Sequence, residues 1–86
     1  MTAPATTEPK SGSPSAFKLL NMAALHLGVP TLARALSIEE RSVRAKLGGD
    51  RGVSDTDLTL TADALRKRAA ALLAQADAID ARLGVQ

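Results

Sequence analysis

The chain has 86 residues and a mass of 8.9 kDa, with no Cys, Trp or Tyr and a single Phe. That is room for one small domain, and the lack of Cys excludes disulfides and thiolate metal sites and fits a reducing compartment. The formal charge of +2 and the pI near 9.5 permit a nucleic-acid partner without requiring one.

Ala and Leu, seventeen and thirteen residues, make up about a third of the chain. Both are strong helix formers, and strand-favouring aromatic and β-branched residues are scarce. The expectation is an all-α fold: a small helical domain with a central helix-turn-helix and a long C-terminal helix.

Residues 1–12, MTAPATTEPKSG, carry no hydrophobic period and contain Pro4 and Pro9. They read as a disordered tail. Met1 to Ser15 has no apolar stretch of the kind a secretory signal needs. A first helix is expected from Ser13-Pro14, with Ser as N-cap and Pro at the first helical position. Phe17, Leu20, Ala24 and Leu27 recur at helical spacing, and Leu19, Met22, Ala23 and Leu25 widen that stripe. This predicts a helix buried on more than one side, with Phe17 and His26 in apolar surroundings. Gly28 is placed to end it in the left-handed conformation.

Val29-Pro30 opens a short second helix whose inner face is Leu32, Ala33 and Leu36. Ser37-Ile38 reads as a tight turn. A third helix runs from about Glu39 to Leu47, with Val43 and Leu47 inward, and Gly48-Gly49 stops it. Ser54 to Asp57 fits a Ser-x-x-acid capping pattern. From there to Leu83 there is neither Pro nor Gly. The reading is one long helix, or a short and a long one joined by a kink near Thr59–Thr61, ended by Gly84. The domain organisation that follows is a tail (1–12), a helical DNA-binding unit (13–57) and a dimerising helix (58–86).

Leu32 to Val53, LARALSIEERSVRAKLGGDRGV, is the informative stretch. Ala33 is small where a second helix must cross closely, Leu36 and Ile38 flank the turn, and Val43 anchors the second helix to the first. The stretch resembles a helix-turn-helix DNA-binding unit. Leu36-Ser37-Ile38, Ser42-Val43, Lys46-Leu47 and Gly52-Val53 are similar to the Fis-type pattern. A phage-repressor-like domain of four or five helices is an alternative home. The resemblance covers about a quarter of the chain. Three features depart from the Fis-type pattern. Ser37 stands where the turn Gly is usual, so it must accept a positive φ or the turn must differ. The Leu47 to Gly52 gap is one residue longer, and the unit lies mid-chain.

Residues 28–54 carry a net charge of +2, whereas residues 55–86 carry −1. With Val43 and Leu47 inward, Arg41, Ser42, Arg44 and Ala45 point outward or to the flanks and are the candidate base contacts. Arg offers two donors to guanine O6 and N7, a pairing worth about 1–3 kcal/mol of discrimination. Ser42 can donate to a base or phosphate, and Ala45 can meet a thymine methyl. Arg34, Lys46 and Arg51 are the candidate phosphate contacts, which set affinity and register.

Leu58, Leu65, Leu72 and Ile79 are spaced by seven, and Ala62, Ala69, Ala76 and Leu83 follow each by four. That is a heptad stripe. A helix of about 25 residues spans on the order of 37 Å, longer than so small a core can cover. Leu65, Leu72, Ala76, Ile79 and Leu83 are therefore the candidate dimerisation residues. Two recognition helices about 34 Å apart would suit a palindromic site.

Little points to catalysis. His26 stands alone, and the Gly48 to Gly52 loop lacks the Lys-Ser/Thr end of a phosphate loop. With one aromatic residue, RNA recognition by stacking is excluded. No metal and no cofactor are implied. The functional expectation is a cytoplasmic, nucleoid-associated, homodimeric regulator that binds double-stranded DNA, with a possible protein partner on the last helix and no membrane role. The rivals are a helical adaptor and a weakly specific architectural nucleoid protein.

Overall fold

The computed structural model describes residues 15–84, so the tail 1–12 and the Ser13-Pro14 start signal lie outside the described residues. The fold is all-α. Four helices follow one another: α1 (Ala16–Leu27), α2 (Val29–Leu36), α3 (Glu40–Leu47) and α4 (Asp55–Leu83), with no strand among the described residues.

The N-cap of α1 is Ser15. Its backbone is extended, and its Oγ accepts the Lys18 N–H at 3.1 Å. Gly28 ends α1 and serves as N-cap of α2. Its φ of 83° is positive as expected, but its ψ of 154° is extended rather than left-handed. That conformation bends the chain by 118° between α1 and α2. Pro30 sits in the first turn of α2, where its missing N–H costs nothing.

Val29–Leu36 ends in a left-handed residue that is not glycine. Ser37 adopts φ 59°, ψ 42°. Its N–H reaches Arg34 O at 3.2 Å, and the Ile38 N–H returns to Ala33 O at 3.1 Å. This is a Schellman closure, and Ile38 packs on the core beside it. Ser therefore accepts the positive φ that this turn usually assigns to Gly. The end of α3 closes in the same way: Gly49 has φ 86°, and the Asp50 N–H returns to Ala45 O at 2.8 Å.

A capping box starts α4. The Asp57 N–H donates to Ser54 Oγ and the Ser54 N–H donates to Asp57 Oδ2, each at 3.0 Å. The helix is continuous through Thr59–Thr61. Both hydroxyls donate back to the carbonyls of Asp55 and Asp57, and the helix runs on without a break. Gly84 ends it at φ 78°, ψ 17°.

The core is Leu20, Ala23, Leu27, Leu32, Ala33, Leu36 and Val43, with Ala24, Ile38, Leu47, Val53, Ala64 and Leu65 packed around it. Leu20, Leu32 and Val43 are fully buried and come from three different helices. The residue 57/58 boundary expected between two units falls inside α4, whose first turns belong to this core.

Helix α1 corrects one expectation. It buries a single face, and Phe17, Leu19, Met22 and Leu25 are exposed, Leu25 at 85 %. His26 is exposed too, not seated in the apolar interior. The reason is that, among the described residues, α1 has neighbours on one side only, so apolar residues on its far side meet no partner there.

Candidate nucleic-acid interface

Val43 fixes which side of α3 faces solvent. It is fully buried, and Leu47 one turn later is half-buried against the core. Arg41 and Arg44 therefore project outward, their side chains 89 % and 64 % exposed. Ser42 and Ala45 are half-buried on the flanks. The candidate base-contacting quartet thus splits into two projecting guanidinium groups and two small residues close to the helix body.

Each arginine has a carboxylate at hand. Arg44 donates to Glu40 Oε1 at 3.2 Å, one turn back, and Arg41 lies 4.0 Å from Glu39. Such exposed pairs are worth about 0.2–1 kcal/mol. They hold the guanidinium groups extended over the N-terminal half of α3 and exchange readily for a stronger acceptor such as a phosphate or a guanine edge.

The candidate phosphate contacts occupy three different settings. Arg34 is exposed on α2, with Nη2 3.4 Å from Thr31 Oγ1. Arg51 is exposed in the loop after α3. Lys46 is mostly enclosed: its Nζ donates to Asp57 Oδ2 at 2.8 Å and to the Gly52 carbonyl at 3.0 Å, and both charged side chains are only 15 % exposed. The structure therefore gives Lys46 partners within the chain. Helix α3 packs on α1 and α2, and through Lys46 it reaches the first turn of α4.

Burial pushes the Asp57 carboxyl up, but the hydrogen bond from Lys46, the Ser54 N–H and the Lys46 charge outweigh it. The net result holds Asp57 below its ordinary range, as an ionised acceptor.

Sequence reasoning missed a second strut. Asn21, in the middle of α1, donates from Nδ2 to Leu47 O at 3.2 Å and to Phe17 O at 3.0 Å. It satisfies a carbonyl at the C-terminal end of α3 that the helix leaves without an internal partner. The one signal in the sequence is a lone amide inside an apolar run. Together, Asn21 and the Lys46–Asp57 pair hold the C-terminal end of α3 from two sides and leave its N-terminal half open.

The structure also brings together cations far apart in sequence. An open groove between α2 and α4 has a floor of Leu27, Ala35, Leu60 and Ala64 and a rim carrying Arg34, Lys67 and Arg68. Lys67 is paired with Asp63 at 3.2 Å.

The candidate dimerisation residues divide along α4. Leu65 is half-buried on its own core. Leu72, Ile79 and Leu83 are 59 %, 49 % and 68 % exposed, and every residue from Arg66 to Gly84 is exposed. No single helix among the described residues is long and apolar enough to cross a membrane, and none of their His, Asp and Glu form a group of three or more that could hold a metal ion.

The fold therefore defines a small all-α domain in which two short helices, joined by a left-handed turn, present two arginines. No family model matches the chain, and no curated protein or solved structure is similar to it.

Proposed function

We propose that the protein binds double-stranded DNA in a sequence-directed way and acts as a small transcriptional regulator, as a homodimer on a palindromic site. The observation that carries this reading is the α2–turn–α3 unit. Ala33 and Val43 are buried at the helix crossing, Ser37 makes the turn, and α3 is left with Arg41 and Arg44 outermost. An α-helix so mounted fits a major groove, and Arg is the side chain best suited to the guanine edge there. Ser42 and Ala45 lie close enough to the helix body to contact bases only once the helix is seated. Arg34 on α2 and Arg51 in the loop after α3 supply sequence-independent phosphate contacts.

Lys46 has a different role in this reading. Its ammonium stays with Asp57, and it positions α3 instead of meeting the backbone of DNA.

The test is selection from a random duplex-DNA pool at roughly physiological salt, with sequencing of the retained fraction. A recovered palindrome is the expected result. Salt-sensitive retention without a motif would replace the regulator by an architectural protein, and no retention would favour a helical adaptor.

A further inference from the structure

From Arg66 onward α4 leaves the core as a bare rod with Leu72, Leu73, Ile79 and Leu83 in water. Eighteen residues of isolated helix, about 27 Å at 1.5 Å per residue, are marginal in water without a partner. At about 100° per residue, Leu65, Ala69, Leu72, Ala76, Ile79 and Leu83 fall within roughly 80° of one another on the helix surface. The rod is also polarised. Its first turn is Arg66-Lys67-Arg68, and its outer half carries Asp77 and Asp80 with Arg82.

We infer that this stripe pairs with the same stripe of a second copy, and that the two α4 helices run antiparallel. The inference deepens the dimeric reading above and rests on it. A parallel pair would set the basic first turn of one helix beside that of the other. An antiparallel pair sets it beside the outer half, whose net charge is −1, and it joins large residues to alanines where a parallel pair would join large to large and alanine to alanine.

Side-chain size pairs each large residue with an alanine, and keeping the half-buried Leu58 and Ala62 out of the seam sets the register. When Leu72 faces Ala76 of the second copy, Ile79 faces Ala69 and Leu83 faces Leu65. Every inner layer then joins one large residue to one alanine, which lets the helices approach closely. On one flank Arg66 comes beside Asp80 of the second copy, and the two Leu73 side chains meet at the dyad. On the other flank Arg68 comes beside Arg82 of the second copy, where both reach solvent.

The spacing agrees with the DNA reading. The core holds α4 at Thr61, Ala64 and Leu65, nine to thirteen residues before the dyad at residue 74. At 1.5 Å per residue the two attachment points lie about 27–39 Å apart, a span that includes the roughly 34–36 Å of one DNA turn.

The native chain contains no Cys, so single-Cys variants report the orientation directly. Purified full-length Leu73→Cys is expected to form a disulfide-linked dimer under mild oxidation, and Ile79→Cys to remain uncrosslinked. Cross-linking of Ile79→Cys and not of Leu73→Cys would overturn the antiparallel arrangement and leave the dimer standing. Sedimentation equilibrium without DNA gives a second readout. Asp80→Arg should weaken the dimer about tenfold through its two symmetric contacts, adding Arg66→Asp should restore it, and Arg82→Glu should tighten it. A chain that is monomeric at all concentrations would overturn the pairing itself. So would a dimer indifferent to Leu72→Asp and lost on Met22→Glu, because that places the interface on the exposed face of α1. None of these measurements uses DNA, so loss of the pairing and loss of the DNA-binding reading are told apart.

Discussion

Removing the carboxylate of Asp57 should cost more stability than its place on a half-exposed first turn suggests. Three contributions are lost in Asp57→Ala. The acceptor of the Ser54 N–H, the reciprocal half of the capping box, goes, worth about 1 kcal/mol. The favourable charge at the helix N-terminus goes, worth about 0.3–1 kcal/mol. Lys46, only 15 % exposed in the pair, then keeps the Gly52 carbonyl as its acceptor, an under-satisfied cation costing about 1–3 kcal/mol. The expected loss is about 2–4 kcal/mol, a large share of the stability of so small a domain. Lys46→Met should cost less, about 1–2 kcal/mol, because the aliphatic stem is kept and Asp57 retains the Ser54 N–H. The double variant should recover about 1–2 kcal/mol relative to the sum of the two. Urea unfolding at one fixed protein concentration measures all four corners of the cycle. A coupling below about 0.5 kcal/mol would refute the claim that this pair ties α3 to α4. The pH dependence supplies a check of sign. Because the folded pKa of Asp57 is depressed, its contribution is complete above the unfolded carboxylate value near 4 and is lost as pH falls through the folded value. Wild type should therefore lose stability on acidification below about pH 4 more steeply than Asp57→Ala.

Ser37→Gly should raise stability by about 0.5–1 kcal/mol, since Gly meets no Cβ penalty at φ 59°, and Ser37→Val should lower it by at least as much; the reverse order in thermal melts would contradict the turn as described. Arg44→Ala should cost about 1–3 kcal/mol on the selected site and far less on unrelated duplex, and equal loss on both would move Arg44 from base to phosphate contact. Leu72→Asp should sediment as a monomer and lose helical signal from the rod while the core still unfolds cooperatively, because Leu72 lies beyond every residue that packs there.

What could be read from the sequence was local. Pro30 at the start of α2, the Ser54–Asp57 box and Gly84 are signals whose physics is complete within four residues, and each stands where it was expected. Val43 and Ala33 were legible because only small or β-branched side chains suit a close crossing of short helices. Ser15 caps α1 through the Lys18 N–H, a second Ser two positions after the one that the Ser-Pro signal picks out. Leu19, Met22 and Leu25 were placed inside because apolar character says nothing of whether a neighbour exists on that side. The same limit applied to Phe17 and His26. Lys46 looked like a free cation because its partner lies eleven positions away across a loop, and the bond depends on how that loop folds. Asn21 and the rim of Arg34, Lys67 and Arg68 were invisible for the same reason.

The unbroken run of α4 gives the molecule the character of a geared shaft. No Gly or Pro interrupts it between its capping box and Gly84, so nothing along it absorbs torsion. Inserting one residue just beyond the core would turn the outer stripe by about 100° relative to α3 while lengthening the shaft by about 1.5 Å. Removing seven would keep the stripe nearly in phase and shorten the shaft by about 10 Å, the rise of roughly three base pairs. Phase and reach are thus set by the same count of residues. If the stripe pairs as proposed, changes in that segment are tolerated in steps of about seven, and an alanine-rich stretch with few side-chain contacts is constrained in length.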